Sequence, residues 1–235
     1  MLQVFKRDVL IAAHGRLLEG ELAVPENASG VVIFAHGSGS SRRLSRNRHV
    51  ANAIHQSRLA TLQLDLLSVQ EEMAERWGRD LRFDMDMLAS RLLAARDWLM
   101  QQPETQYLPF GYFGSGTGAA ASLVAVSRQP ERIAAVVCRG GRPDLVTDVL
   151  PRVHVPTCFI VAGNDVDNLL LNQKALAQLP GGDKSLRIVP NASHDFDEPG
   201  ALEEVARLAC EWFTRAFRDS TQVRYGWTDE QGRWV

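Results

Sequence analysis

The chain has 235 residues, a length that one α/β domain can fill. Hydrophobic residues make up 45% and charged residues 23%, a globular composition that excludes a disordered chain, a collagen-like fibre and a small disulfide scaffold. The 26 basic residues nearly balance the 28 acidic ones, giving a formal net charge of -2. This balance leaves no global basic field to hold nucleic acid or an anionic membrane.

The three cysteines lie far apart along the sequence, at Cys138, Cys158 and Cys210. They form neither a CxxC pair nor a Cys/His metal spacing, which favours a reduced compartment. The amino-terminal residues lack the apolar core of a signal peptide. No apolar run approaches the roughly 20 residues that a membrane span needs. We therefore expect a soluble, cytoplasmic protein with no nucleic-acid or membrane partner.

Short apolar runs alternate with longer helical patterns along the chain. Strands are predicted at Val9–Ala13, Leu17–Val24, Gly30–Ala35, Leu59–Leu64, Pro109–Phe113, Ile133–Cys138, Cys158–Ala162 and Leu186–Val189. Helices are predicted at Ser45–Ser57, Asp84–Met100 (with Asp84 as N-cap), Thr117–Arg128, Asn168–Leu179 and Ala201–Phe217. This order predicts an α/β fold with a mainly parallel central sheet flanked by helices on both faces. We expect a single domain over residues 1–218 and a polar C-terminal tail over 219–235.

Polar residues follow four of the predicted strands, and ligands of parallel sheets bind at the carboxyl ends of strands. The first strand end leads into a His/Gly/Ser turn at 36–41, whose backbone N–H groups can face a developing anion. The second leads into a tight turn of small residues at 114–118, before an Ala-rich helix. Asp165 follows the third and His194 the fourth. Taken singly, these features also fit a flexible connection, a helix N-cap and a surface histidine.

Together they follow the chain order Ser…Asp…His of α/β-hydrolases. The sequence resembles the dienelactone hydrolase-like branch of that superfamily over roughly residues 5–217. The resemblance rests on His36–Ser41, Ser45–Arg48, Asp65–Leu67, Phe113–Ala120, Arg139–Leu145, Gly163–Asp165 and His194 with Glu198–Glu204. It implies an α/β-hydrolase fold and hydrolysis of a small ester, lactone or related acyl or phosphoryl compound. It implies no metal and no organic cofactor, because the chemistry of this fold uses side chains.

The sequence departs from the family's G-x-S-x-G or G-x-C-x-G nucleophile elbow. When Gly114 and Gly118 are aligned with the two glycines, Gly116 occupies the nucleophile position and Ser115 lies one residue early. Three accounts stay open. The site lacks its nucleophile and binds a ligand or activates water through His194; the elbow is remodelled and Ser115 attacks; or His194 serves a lyase or isomerase reaction.

The resemblance implies roles for the remaining site residues. Asp165 would orient His194, the general acid and base. The backbone N–H groups of Ser38 and Thr117 would form the oxyanion hole, with Gly37 and Gly39 in the same turn. Three arginines, Arg42, Arg46 and Arg139, are candidates to attract a carboxylate or phosphate on the substrate. The alternative is that the arginines of these loops, Arg142 included, are solvated and paired with Glu71, Glu72 or Asp144.

Two functions from other classes are also compatible with the sequence. Residues 114–119 satisfy a loose G-x-G-x-x-A pattern, which is typical of dinucleotide-binding turns. The acidic residue expected about 20 positions later is missing from the next strand end, where Cys138 and Arg139 stand. The other possibility is a catalytically inactive ligand-binding homologue. In each case the expected partner is a small molecule, and the chain is expected to be a monomer or a homodimer.

Overall fold

A computed structural model describes residues 2–13, 15–36 and 44–225, with side chains up to residue 221. Its strands are β1 (Val4–Ala13), β2 (Arg16–Pro25), β3 (Val31–Ala35), β4 (Ala60–Leu64), β5 (Phe110–Ser115), β6 (Ile133–Arg139), β7 (Thr157–Ala162) and β8 (Lys184–Val189). Its α-helices are α1 (Ser45–Gln56), α2 (Val69–Arg76), α3 (Met85–Leu99), α4 (Thr117–Arg128), α5 (Val166–Gln178) and α6 (Ala201–Tyr225). Short 3₁₀ turns occupy Leu81–Phe83, Pro143–Val146 and Leu150–Arg152.

The strands form one sheet in the order β1-β2-β4-β3-β5-β6-β7-β8. The strands from β3 onward pair in parallel, whereas β1 pairs antiparallel with β2 and β2 antiparallel with β4. Every residue of β3, β4, β5 and β7 is buried, as expected for strands that are covered on both faces. The predicted mainly parallel sheet is confirmed.

Helices cover both faces of the sheet, and each face has its own hydrophobic core. Apolar residues of α3, α4 and α5 pack with one set of strand side chains. Apolar residues of α1 and α6 pack with the other set. Because consecutive side chains of a strand point to opposite faces, the continuous apolar runs of the central strands supply both cores.

Most predicted elements are confirmed to within a few residues, including the Asp84 N-cap, whose side chain accepts a hydrogen bond from the backbone N–H of Met87 at 2.9 Å.

Helix α2 was not predicted from the sequence. It begins with a capping box formed by Ser68 and Glu71. Its apolar residues Val69 and Met73 are exposed, so apolar residues do not mark one buried face of this helix. Helix α6 continues to Tyr225, so the segment predicted as a polar tail begins as helix. None of the described helices is long and apolar enough to cross a bilayer.

The turn between β5 and α4 brings backbone segments into close contact. A Cβ atom on Gly118 would lie 2.1 Å from the carbonyl oxygen of Ala35, at the end of β3. A Cβ atom on Gly114 would lie 2.5 Å from the Cα of Ala119, in the first turn of α4. Both distances are far below van der Waals contact, so only glycine lets α4 start this close to the ends of β3 and β5.

We predict that Gly118→Ala lowers the free energy of unfolding by about 1–3 kcal/mol, because the new methyl group meets rigid backbone rather than a movable side chain. The lower chain entropy of alanine offsets only about 0.4–1 kcal/mol of this loss. Urea denaturation measures the difference. Gly181→Ala is the matched control, since its Cβ would meet no atom within 4 Å. Equal stability of the two variants would contradict the packing argument.

Candidate functional site

The tight turn between β5 and α4 has the backbone geometry of a nucleophile elbow. Gly116 is the single residue between strand and helix, with φ 54° and ψ -124°. For a residue with a side chain this conformation costs of order 1–3 kcal/mol, whereas glycine adopts it freely. The strained position of the elbow therefore falls on Gly116 and not on Ser115.

Ser115 is the last residue of β5 and keeps the geometry of a strand. It pairs with Arg139 across the parallel ladder to β6, and its side chain is buried. Within the described residues, the one side-chain hydrogen bond of His194 goes to Asp165 rather than to Ser115.

Asp165 and His194 meet although they lie 29 positions apart in the sequence. Asp165 follows β7 and caps α5 by accepting a hydrogen bond from the backbone N–H of Asn168. Its other carboxylate oxygen, Oδ2, lies 2.5 Å from Nδ1 of His194 in the loop after β8. Because Asp165 occupies Nδ1, a neutral imidazole in this arrangement presents Nε2 as a proton acceptor.

The loop after β6 connects this histidine to the elbow. Gly140, with φ +50°, lies against the imidazole: a Cβ atom there would be 3.6 Å from Cε1 of His194. Two residues further on, the backbone N–H of Arg142 donates a hydrogen bond of 3.2 Å to the carbonyl oxygen of Gly116. One short segment thus touches both the histidine and the elbow, which places the ends of β5, β7 and β8 around a common site.

The loop of His194 is held by a carboxylate from its own sequence. The backbone N–H of Ser193 donates a 3.0 Å hydrogen bond to Glu198. This bond is the main reason that the pKa of Glu198 lies below its usual range. Phe196 packs beneath the loop as a fully buried side chain with a left-handed backbone, φ 58°. These contacts fix the backbone on both sides of His194.

Thr117 is the first residue of α4, so its backbone N–H has no partner four residues earlier in the helix. Such an N–H, at the positive end of a helix dipole, can bind an oxyanion. The other predicted site residues of the turn after β3 are Gly37, Ser38, Gly39 and Arg42, and all of them lie outside the described residues.

Two buried basic side chains, His36 and Arg139, lie near the site, and only Arg139 was predicted as a site residue from the sequence. His36 follows β3 with a buried ring 5.6 Å from that of Phe34. Burial, with a smaller effect of the charge on Arg139, lowers the pKa of His36 to about 3, so the ring is neutral at pH 7. Its Nε2 has no hydrogen-bond partner among residues 2–13, 15–36 and 44–225. A lone histidine in a sequence gives no indication of such burial.

Arg139, at the carboxyl end of β6, is 7% exposed, and its Nη1 atom has no hydrogen-bond partner among the described residues. Its guanidinium lies 5.9 Å from the ring centroid of Phe196, at the outer limit of a cation–π contact. Burial, and then the charge of Arg46, lower the pKa of Arg139 to about 10, which still leaves a full positive charge at pH 7. A buried cation without a salt-bridge partner is costly, and such groups are found where function needs them.

Two other arginines near the site, Arg46 and Arg142, have ion-pair partners. Arg46 forms an ion pair with Asp195, the neighbour of His194. Arg142 forms two hydrogen bonds of 2.8 Å with Asp144. This agrees with the alternative that the arginines of these loops pair with carboxylates. Among the described residues, no three His, Cys, Asp or Glu side chains form a group that could hold a metal ion.

The chain is similar to a solved dienelactone hydrolase from Anabaena variabilis ATCC 29413. The two are 50% identical and superpose with a TM-score of 0.87, over 91% of this chain and 98% of that one. The esterase Est1E from Butyrivibrio proteoclasticus is 14% identical with a TM-score of 0.75, over 90% of this chain and 99% of that one, a likeness of fold alone. No protein-family model matches the chain.

Two curated proteins of Mycobacterium tuberculosis, from strains CDC 1551 and H37Rv, are each 50% identical over 206 residues. Both carry the name "Putative phosphoribosyl transferase". The match takes in 88% of this chain and 45% of each relative, so the chain spans less than half of their length. The likeness to the Anabaena protein covers nearly all of both chains at half identity, and on that basis this chain belongs to the dienelactone hydrolase family of α/β-hydrolases.

Proposed function

We propose that the chain is a hydrolase of small esters or lactones in which His194 activates water directly. The observation that carries the proposal is the coexistence of a hydrogen-bonded Asp165–His194 pair with glycine at the elbow position. The acid and base of the family's chemistry are present, whereas the residue that would form a covalent acyl intermediate has no side chain.

The proposed reaction needs one water molecule per ester. Nε2 of His194 takes a proton from the water while its oxygen attacks the acyl carbon, and Asp165 stabilises the imidazolium that forms. The carbonyl oxygen becomes an oxyanion that the N–H of Thr117 stabilises. Collapse of this intermediate breaks the bond to the leaving oxygen, which receives the proton from His194. The products are a carboxylic acid and an alcohol.

The strand geometry of Ser115 favours this account over a remodelled elbow. A serine at the end of β5, paired with Arg139, lacks the backbone conformation that turns a nucleophile into the site. The family assignment also explains the glycines at 114–118 as an elbow, which removes the main reason for proposing a dinucleotide site. The site geometry gives no separate support for phosphoribosyl transfer, the activity in the name of the mycobacterial relatives.

We predict that Gly116→Ser raises esterase activity by at least about 10²-fold, because it supplies the hydroxyl that the acid–base pair lacks. The same change should lower the free energy of unfolding by about 1–3 kcal/mol, since serine must adopt φ 54°. Hydrolysis of 4-nitrophenyl esters and urea denaturation measure the two effects.

Ser115→Ala and His194→Ala are the controls for this prediction. The first should leave the activity of the natural chain unchanged, and the second should remove the activity gained by Gly116→Ser. If Ser115→Ala instead abolishes turnover, the remodelled elbow is the better account. If Gly116→Ser folds and gains no activity, an inactive ligand-binding homologue is favoured.

We further propose that the substrate carries a carboxylate or phosphate group. Arg139 supports this proposal, because its buried positive charge has no salt bridge within the described residues and lies where β6 meets the site. Its field would attract an anionic substituent and stabilise the oxyanion as well. Arg46 lies nearby but is half-buried and paired with Asp195, so Arg139 is the arginine on which the proposal rests.

Arg139→Met should lower kcat/KM for an anionic ester by roughly 5- to 30-fold, the loss of about 1–2 kcal/mol of interaction with the charge. A neutral ester should lose less. The measurement compares 4-nitrophenyl hemisuccinate with 4-nitrophenyl butyrate in the Gly116→Ser background, where rates are high. Arg152→Met, at an exposed arginine outside the site, is the control. An unchanged ratio of the two kcat/KM values would contradict the proposed preference.

A further inference from the structure

A polar cavity lies between α1 and the β1–β2–β4 side of the sheet, apart from the elbow and His194. Its volume is about 360 Å³, which is in the lower range for small-molecule sites. Its lining is Lys6, Asp8, Glu21, Arg48, Asn52, His55 and Gln63, so every lining residue is polar. On the opposite face of the same strands, β1 and β2 bury apolar residues such as Ile11 and Leu22.

The sheet wall of this cavity is a row of three oxygen-bearing side chains. Asp8 of β1 lies directly opposite Glu21 of β2, and Glu21 lies directly opposite Gln63 of β4. Directly paired residues of neighbouring strands point to the same face, with Cβ atoms about 5 Å apart. Two carboxylates in such a pair repel each other unless a cation lies between or beside them. Lys6 relieves this only in part, at 3.9 Å from Glu21.

The floor of the cavity contains a polar atom that lacks a partner. Gln63 is 4% exposed, and its Oε1 has no hydrogen-bond partner in the part of the chain that the structure describes. A buried amide oxygen of this kind destabilises the fold unless something donates a hydrogen bond to it. His55 closes the floor beside it, with Nε2 2.8 Å from Oγ1 of Thr61. The carboxylates and this oxygen together form an acceptor set suited to an ammonium group.

The wall of the cavity that α1 forms carries a positive charge, on Arg48. Arg48, Asn52 and His55 follow one another at four- and three-residue spacing, so they share one face of α1. Arg48 has no ion-pair partner among the described residues, and its planar guanidinium matches a carboxylate. The amide of Asn52, one turn further along, can donate a hydrogen bond to the same group.

We propose that this cavity binds a small zwitterion of the α-amino-acid class. The ammonium group would lie against Asp8, Glu21 and Oε1 of Gln63, and the carboxylate against Arg48. A ligand with one charge of each sign matches two walls of opposite sign and keeps the cavity neutral. The proposal is independent of the hydrolase reaction, because it uses none of the elbow, Asp165 or His194.

Thermal unfolding of the whole chain tests the proposal against each of the common α-amino acids at millimolar concentration. At least one of them should raise the unfolding temperature, by roughly 5–10 °C when it exceeds its Kd about 100-fold. Methylamine and acetate, which carry only one of the two groups, should have little effect. Calorimetric titration of the active compound then gives its Kd.

Two variants and two controls assign the binding to this cavity. Asp8→Asn and Arg48→Met should each raise the Kd at least about tenfold, through loss of one charge-assisted hydrogen bond. Asp8→Asn also removes the repulsion with Glu21, so the free variant should be no less stable than the natural chain. Arg152→Met and His194→Ala should leave the Kd unchanged.

The proposal is overturned if none of the amino acids shifts the unfolding temperature. It is also overturned if Asp8→Asn and Arg48→Met bind as well as the natural chain, or if His194→Ala abolishes binding. An equal shift with methylamine or acetate alone would contradict the zwitterionic character of the ligand.

Discussion

The hydrogen bond between Asp165 and His194 is the contact on which the account of the site depends. It joins the end of β7 to the loop after β8 and holds the imidazole with Nδ1 occupied. Asp165 serves the fold at the same time, because its other oxygen caps α5. A single carboxylate therefore fixes a helix start and the orientation of the candidate base, so neither can move without the other.

An elbow-like turn and a hydrogen-bonded Asp–His pair surround a position that has no side chain. The elbow keeps its strained backbone, α4 packs against β3 and β5 through two glycines, and the histidine and its carboxylate are in contact. None of these features needs the nucleophile in order to fold, and glycine at 116 even relieves the strain that a serine would impose. A glycine at position 116 is thus compatible with retention of the elbow backbone and of the Asp165–His194 contact.

The buried positive charge of Arg139 is not what stability alone would favour. A buried guanidinium without a salt bridge lowers stability unless an anion or an aromatic ring compensates it. Phe196 at 5.9 Å and the negative charges of Asp195 and Asp197 supply part of this compensation, and neutral His36 adds no charge of its own. An anionic substrate or transition state would supply the rest.

The sequence was sufficient to predict the sheet and the elbow, because each depends on local pattern. Continuous apolar runs identify strands buried on both faces, and small residues between a strand and an Ala-rich helix identify the tight turn. The positions of Asp165 and His194 were predictable because each lies in the loop after a predicted strand, β7 and β8 respectively. Helix α2 was missed because its apolar side chains Val69 and Met73 are exposed and mark no buried face, although Ser68 and Glu71 carry the sequence signature of a capping box.

The polar cavity was not predictable in the same way. Asp8, Glu21 and Gln63 lie in three separate strands, and only the register of the antiparallel pairs brings them into one row. The burial of His36 and the unpartnered state of Arg139 likewise depend on packing between distant segments. These features carry no sequence pattern of their own.

In the proposed reaction water, and not a residue of the chain, attacks the substrate. Rapid mixing with 4-nitrophenyl acetate, followed by mass spectrometry of the quenched protein, tests it most directly. The account predicts linear release of nitrophenol with no initial burst and no acetylated peptide containing Ser115. A burst equal to the enzyme concentration, with acetyl on Ser115, would contradict it.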